Sequence, residues 1–534
     1  MAKEEATTTI SGIPLKASYA PEDVAGQDYN KDLGNPGEFP YTRGIYPEMY
    51  RFQPWMMLQL AGFETMERTR ERMEMMFKEG HWGYEKFGIV SFNLIPDVCS
   101  CSAAIDPDDP LARGLVGRCG ASIASIKDME YFLDGLPLDK LHLSIISHSA
   151  SPGIYALWVG CVQESGLPTE IIRGDIVAAV DEGFLQGRRD YSPEGALRIR
   201  ADMIKYAVKH TPQINFNIEM YQIRDAGANA VQEIAFGLAR GIASLEECIK
   251  RGVEVNEAAR VLTFHMGLHN DFFEEIAKLR AFRRMWSKLL KDRFNATKPQ
   301  SMRPKIFIQT SGSTLTWQQP LNNIVRTTVQ ALAAILGGTN ALSVDCLDEA
   351  HSIPSAFAEK QSLRIQQILL HESNVASVVD PLAGSYFIES LTNELEERAY
   401  QYIDDIDKMG GWTQAIRRGY IKNEVEKSSH EYSKQIWDDK RVIVGVNKYQ
   451  EGEEIPIPLG HEFVVDEEAI IERIREFKRK RDNEKVKKML GRIKEAAMTE
   501  DADITPVTVE AARAHVTMGE ICGVLKEVFE WKVW

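Results

Sequence analysis

The stretch KIFIQT (305–310), SGSTLTWQQP (311–320), LNNIVRTTVQALAAILGG (321–338), TNALSVD (339–345) decides the fold. A short apolar run closes on polar residues and a Gly/Ser-rich turn. An amphipathic helix from Pro320 to Leu336 follows, and a second apolar run, Ala341 to Asp345, closes on a carboxylate. That is one strand–helix–strand unit, whose connection length demands parallel strands. The same pattern repeats outward in both directions. Gly88 to Leu94, Leu141 to Ser147, Glu170 to Arg173, Gln213 to Met220 and Arg260 to Met266 read as strands. Between them lie helices: Val231, Ile234, Leu238, Ile242, Leu245 and Ile249 recur every three or four residues, as do Phe272, Ile276, Leu279, Phe282, Trp286 and Leu289. Seven strands, with an eighth near Leu115 or Val378, predict an α/β chain built on a (β/α)8 TIM barrel of ~250 residues plus insertions. A doubly wound sheet is the alternative.

Around this barrel, assigned to 46–395, the Pro/Gly-punctuated residues 1–45 read as an extended arm, and 396–534 read as a helical C-terminal region. The segment Asp466 to Ala497 is a charge-laced helical pattern. It reads as a solvated helix, or as a helix that docks a second chain.

The 534 residues are 44% hydrophobic and 26% charged, enough apolar content for a large core, which excludes disordered and fibrous classes. A net charge of −15 lacks the basic footprint of a nucleic-acid protein. With no apolar leader in MAKEEATTTI and no spanning stretch, the expectation is a cytoplasmic protein without membrane segments. Seven scattered cysteines fit reduced thiols better than a disulfide frame.

In a barrel of this kind reactive groups sit at the carboxyl ends of strands. Reading each run outward gives Ser91 and Asn93, Ser147 and His148, Arg173 and Asp175, Tyr221 and Gln222, Thr263 and His265, Gln309, then Asp345 and Glu349. Other motifs carry less. His265 and His269 have a zinc-like spacing, but Met266 stands where a metalloprotease helix needs Glu, so a structural use is expected. Cys99 and Cys101 form a lone C-x-C that reads as packing, and no phosphate-cradling glycine motif occurs.

Several segments, taken in order, resemble the adenosylcobalamin-dependent acyl-CoA mutases: YPEMY at 46–50 with Pro54-Trp55, AGF at 61–63, AKLRA at 277–281, QTSG at 309–312, LDEA at 347–350, Asp380-Pro381 with Gly384-Ser385, and GVNKY at 445–449. The family includes methylmalonyl-, isobutyryl- and 2-hydroxyisobutyryl-CoA mutases. The resemblance implies an isomerase whose barrel holds an acyl-CoA along its axis under adenosylcobalamin, with a thioester group migrating to the neighbouring carbon. A D-x-H-x-x-G cobalt-ligand motif does not occur in the 534 residues. The implied partner is therefore a separate cobalamin-binding small subunit that shares the cofactor, in a heterotetramer or another oligomer.

By the same resemblance Gln309, Asp345 and Glu349 hold the adenosyl ribose, Asp345 standing where the family usually has Asn. Gln222 and Tyr221 fall at the thioester, Gln222 in place of a His. Tyr46, Met49, Gln53, Leu60, Ser91, Asn93, His148, Arg173, Arg260 and Thr263 complete a substrate-binding set. Leu60 replaces an active-site Tyr, a carboxylate-binding Arg is missing near Gly183, and the arginines and threonine that help hold CoA correspond to Gln53, Leu58 and Met56. A dianionic acyl-CoA without its Arg would leave a carboxylate unpaired in a low-dielectric site. The expected substrate is thus a branched or hydroxylated acyl-CoA of the isobutyryl or 2-hydroxyisobutyryl type. Two alternatives stand: a dicarboxylic acyl-CoA clamped by Arg173, and a non-catalytic paralogue subunit.

Overall fold

The computed structural model describes residues 7–80, 88–188, 190–450 and 465–531. The first six residues of the arm, and 451–464 and 532–534 of the C-terminal region, lie outside them. Nine strand segments are present: β1 (Met56–Met57), β2 (Leu60–Ala61), β3 (Val90–Leu94), β4 (Leu141–Ile146), β5 (Arg173–Val177), β6 (Gln213–Glu219), β7 (Leu262–Leu268), β8 (Lys305–Thr310) and β9 (Ala341–Ser343). Helices alternate with them, among them Ser151–Glu164 after β4, Pro193–His210 after β5, Ala230–Lys250 after β6, Phe272–Asp292 after β7, Asn322–Gly337 after β8 and Ala356–His371 after β9. Local chemistry sets their ends. Ser192 caps the helix whose first residue is Pro193, Ser355 caps Ala356–His371, and Gly338 ends Asn322–Gly337 at φ +88°, a conformation that glycine adopts without strain.

The chain divides into two compact units that interleave along the sequence: 1–57, 219–241 and 263–460 in the first; 58–218, 242–262 and 461–534 in the second. In the first, β1, β9, β8 and β7 pair in that order, all parallel. In the second the order is β6-β5-β4-β3-β2, again all parallel. The last residue of β6 belongs to the first unit, where the N–H of Met220 donates to the His265 carbonyl at 2.8 Å. Consecutive strands that pair in parallel through crossover helices are the topology of the (β/α)8 barrel, and this is the fold class.

Register places side chains in layers. In the second unit Ser91, His142 and Arg173 form one row, and Leu60, Asn93, Ser144, Asp175 and Asn215 the next, on the same face. The opposite face carries Phe92, Leu143, Ile145, Ile176, Ile214 and Phe216, all buried and directed to helices: Phe92 meets Phe132 at 5.9 Å and Phe216 meets Tyr155 at 5.6 Å. The first unit repeats the division. Phe264 packs on Phe282 and Trp286 of Phe272–Asp292, while Thr263, His265 and Gly267 of β7, Lys305, Phe307 and Gln309 of β8, and Ser343 of β9 share the other face. Barrel strands usually fill their inner face with branched apolar residues. Here that face is largely polar or small.

The strands depart most from the sequence expectation in three places, besides shifts of one or two residues at other ends. Glu170 to Ile171 lie in a 3-10 turn, and β5 begins at Arg173 and runs on through Gly174-Asp175, which pair on both sides. Arg260 lies in the last turn of the helix Val255–Val261, and β7 starts at Leu262. Neither Leu115, in a turn, nor Val378, in a bend, is a strand. The missing pairing comes from β1 and β2, too short to show a period in sequence and separated by Leu58 and Gln59.

Asp466 to Ala497 forms two helices, Glu467–Lys480 and Asn483–Met498, broken at Arg481-Asp482. They are not solvated all round. Ile470 and Ile471 are buried with Cys99, Ala112 and Val116, and Ile474, Val486, Met489 and Ile493 are buried as well. This also gives Cys99 its packing role. All seven cysteines are free thiols, six of them buried. Among the described residues no helix is long and apolar enough to cross a membrane.

Candidate active site

At the carboxyl ends of β8 and β9 the first unit gathers four of the expected residues. Gln309, the fifth residue of β8, points its amide at Asp345, Nε2 to Oδ1 2.9 Å. Asp345 is fixed from behind by its own N–H, which donates to Thr310 Oγ1 at 2.8 Å. Tyr221, which opens the short helix Tyr221–Asp225, brings its hydroxyl 3.4 Å from Asp345 Oδ2 and accepts the Gly312 N–H at 3.2 Å. Glu349 completes the ring. A Cβ built on Gly312 would stand 3.2 Å from Tyr221 Oη, 3.4 Å from Asp345 Oδ2 and 3.5 Å from Glu349 Oε1, so any side chain there would fill the space on which the three oxygens converge.

Asp225 is the residue that sequence reasoning missed. Its carboxylate accepts from Ser311 Oγ (2.6 Å), Ser313 Oγ (3.0 Å) and the Ser313 N–H (3.2 Å), pinning the Gly312 turn to the end of the Tyr221 helix. The signal was its place before Ala226-Gly227, beside Tyr221-Gln222.

Three carboxyls so close cannot all ionise freely. Burial lifts Asp345 well above the ordinary carboxylate range, with Glu349 and Asp225 adding to the shift. Glu349 keeps solvent access, yet desolvation by the surrounding protein, then Asp225 and Asp348, push it up to about 7. Burial also raises the Tyr221 phenol, which stays protonated and able to donate. For a carboxyl raised in the fold, the folded chain holds a proton that the unfolded chain releases, so stability falls as pH climbs from about 4.5 to about 7 and stays lower above. Replacing Glu349 by Gln should flatten that part of the ligand-free protein's melting-temperature profile and raise its value at pH 8. An unchanged slope would mean that Glu349 is not crowded in this way.

The other expected residues are distributed as follows. His265, buried in β7, lies with its ring parallel to those of Tyr221 (5.3 Å) and Phe307 (4.3 Å), and its Nδ1 is 2.7 Å from Glu219 Oε2. It is on a strand, so the metal-helix spacing with His269 has no meaning, and burial holds His269 down to about 3 and hence neutral. Gln222 gives its N–H to Glu219 Oε1 at 3.3 Å. Thr263 is buried one step below His265 on the same face. Tyr46, Met49 and Gln53 lie in the segment before β1, where the Gln53 N–H donates to Met49 O. Among the described residues no hydrogen bond joins them to the Gln309 cluster.

In the second unit Leu60, Ser91, Asn93 and Arg173 share one strand face. Asn93 is fully buried, and neither atom of its amide has a partner among the described residues. No carboxylate among them pairs with Arg173, whereas His142 beside it pairs with Asp175 at 2.7 Å. His148 is buried in the turn after β4, at φ +35°. Arg260 is bound to Glu257 (3.2 Å) and to the Pro212 carbonyl (2.8 Å) at the amino end of β7.

Residues 8–531 match the family model of methylmalonyl-CoA mutase. The chain belongs to the methylmalonyl-CoA mutase family. It is 35% identical over 530 residues to the 2-hydroxyisobutanoyl-CoA mutase large subunit of Aquincola tertiaricarbonis, covering 99% of this chain and 92% of that one. It is 36% identical over 527 residues to the methylmalonyl-CoA mutase of Rhizobium meliloti (98% and 72% covered) and 34% identical over 527 residues to the human mitochondrial methylmalonyl-CoA mutase (98% and 68% covered). Members of the methylmalonyl-CoA mutase family are isomerases and use adenosylcobalamin.

Proposed function

We propose that this chain is the large, substrate-binding subunit of an adenosylcobalamin-dependent acyl-CoA mutase, acting on a branched or hydroxylated acyl-CoA such as the 2-hydroxyisobutyryl or isobutyryl thioester, with its cobalamin brought by a separate small subunit. The observation that carries this reading is the convergence of Asp345, Glu349 and Tyr221 on the open space over Gly312, with Gln309 bound to Asp345 beside it. Two carboxyls and a phenol facing a space that a glycine leaves free, with an amide on one of the carboxyls, are the donors and acceptors that a ribose diol needs, and they are the residues that would hold the adenosyl group. That group, when bound, supplies the radical chemistry.

The chain's own residues bind, orient and exclude water. Asp345 and Glu349, raised as they are, can accept or donate at a hydroxyl without placing two full charges side by side. In each unit the strand face that most barrels pack with apolar side chains carries polar or small ones able to meet a polar ligand, and the amide of Asn93, buried and without a partner among the described residues, is a group awaiting one. Leu60, in register with Asn93, makes the space beside it apolar and suits a methyl branch.

Arg173 favours a second reading. A guanidinium without a carboxylate partner among the described residues could clamp the second carboxylate of a dicarboxylic acyl-CoA. Competition among methylmalonyl-, isobutyryl- and 2-hydroxyisobutyryl-CoA, on wild type and Arg173→Ala, separates the two. The monocarboxylic substrates are expected to win in both proteins. A preference for methylmalonyl-CoA that disappears in the variant would transfer the assignment to the dicarboxylic class.

A further inference from the structure

His265 holds a buried lone pair that nothing in the described structure uses. Its ring is 2% exposed and lies flat between Phe307 (4.3 Å, 8°) and Tyr221 (5.3 Å, 5°), so it cannot swing out of plane. Its tautomer is set by Glu219. One carboxylate oxygen faces Nδ1 at 2.7 Å, and the other accepts the Gln222 N–H at 3.3 Å. Glu219 is itself held in place, since Arg240 Nη1 donates to its carbonyl at 2.7 Å. In the neutral ring, a carboxylate receiving donors on both oxygens keeps the imidazole proton on Nδ1, and Nε2 then carries only a lone pair. Nε2 is buried and has no hydrogen-bond partner among the described residues.

A buried acceptor without a donor is costly, and no donor among the described residues relieves it. The ring lies on the polar face of β7, in register with Phe307 and one layer below the pair Gly267 and Gln309. Tyr221, stacked upon it, reaches Asp345. The lone pair therefore lies on the strand face that carries Gln309, beside the Tyr221 ring whose hydroxyl reaches the site proposed for the ribose. It repels a carboxylate, gains nothing from a methyl group and takes an O–H.

We infer that His265, oriented by Glu219, is a specificity-determining residue that accepts the hydroxyl of a hydroxyacyl-CoA, so that this site selects a hydroxyl over a methyl or a carboxylate on the acyl chain. The inference rests on the acyl-CoA reading given above and narrows it to the hydroxylated class. The same chemistry could be met by a hydroxyl of the adenosyl ribose, and the test separates the two.

Titration calorimetry on the full chain without cobalamin compares 2-hydroxyisobutyryl-CoA with pivaloyl-CoA, in which a methyl replaces the hydroxyl on the same carbon. Wild type should bind the hydroxylated thioester about tenfold more tightly, the value of one net hydrogen bond to a buried group. His265→Phe, which preserves the ring stack, should bring the two affinities together while leaving that for pivaloyl-CoA within about twofold of wild type. A ratio near one in wild type overturns the inference whatever the variant does, and so does a ratio that survives in a folded His265→Phe. Loss of 5′-deoxyadenosine binding in the variant, with the thioester ratio intact, would assign the lone pair to the ribose and overturn it as well. Failure of wild type to bind either thioester would refute the acyl-CoA reading itself, a result distinct from the others.

Discussion

Lys278→Met should destabilise the protein by about 3–5 kcal/mol, the cost of breaking a buried charge network from one side. Lys278 is fully buried between two carboxylates, donating to Glu233 Oε2 at 2.6 Å and pairing with Glu275. Arg224 supplies the second cation, 2.8 Å from Glu275 and 3.6 Å from Glu233. Two cations thus balance two anions. Burial alone would raise Glu275, but Lys278 and Arg224 together hold it down to about 2. Removing the ammonium leaves one net negative charge among fully buried side chains. The loss also reaches the site, because Glu233 accepts the Gly267 N–H (2.8 Å) and Lys278 donates to the Gly267 carbonyl (2.6 Å), which clamps β7 beside Gln309. A urea midpoint or melting temperature measures the loss, and adding Glu233→Gln to Lys278→Met should recover part of it by restoring neutrality. A single variant within about 1 kcal/mol of wild type would show that the network is not charge-coupled as its distances indicate.

Glu349→Ala should leave the fold intact and lower turnover roughly tenfold or more, since a charge-assisted hydrogen bond to a ribose hydroxyl is worth about 1.5–3 kcal/mol. Its residue keeps solvent access and none of the hydrogen bonds described for the fold depends on its carboxyl, so the melting temperature should not fall. Removing a crowded carboxyl should even raise it at neutral pH. Gln309→Ala should act in the same direction but less, because Asp345 keeps its contact with Tyr221. Wild-type turnover in both variants, with an authentic substrate, would place the adenosyl pocket elsewhere.

How much of this was legible in the sequence depended on the length of each signal. The helices Ala230–Lys250 and Phe272–Asp292 follow from a period sustained over five turns, and β8 with its QTSG turn follows from a polar close to an apolar run. β1 and β2, at two residues each, have no period to read, and β5 lies later than the apolar run because Gly174 and Asp175 belong to it only through neighbours that pair on both sides.

The site divided in the same way. Gln309, Asp345 and Glu349 were visible as strand-end polar residues, but the pairing of Glu219 with His265 was not. Those residues are 46 apart in the chain, and only adjacent strand ends bring them together. In AKLRA, the Lys and Arg were visible only as a family signature. The structure gives their use: Lys278 in the buried network, and Arg280 bound to Asp380 and, at 2.5 Å, to Glu389.

The central claim is that this chain supplies the acyl-CoA and adenosyl-ribose contacts while cobalamin arrives on a partner. The direct test is the rate of acyl-CoA isomerisation with adenosylcobalamin, measured for the purified chain alone and for the chain mixed with a cobalamin-binding subunit. The account predicts turnover of a hydroxylated or branched acyl-CoA in the complete mixture and none from the chain alone. Turnover by the isolated chain, with cobalamin retained through gel filtration, would contradict it.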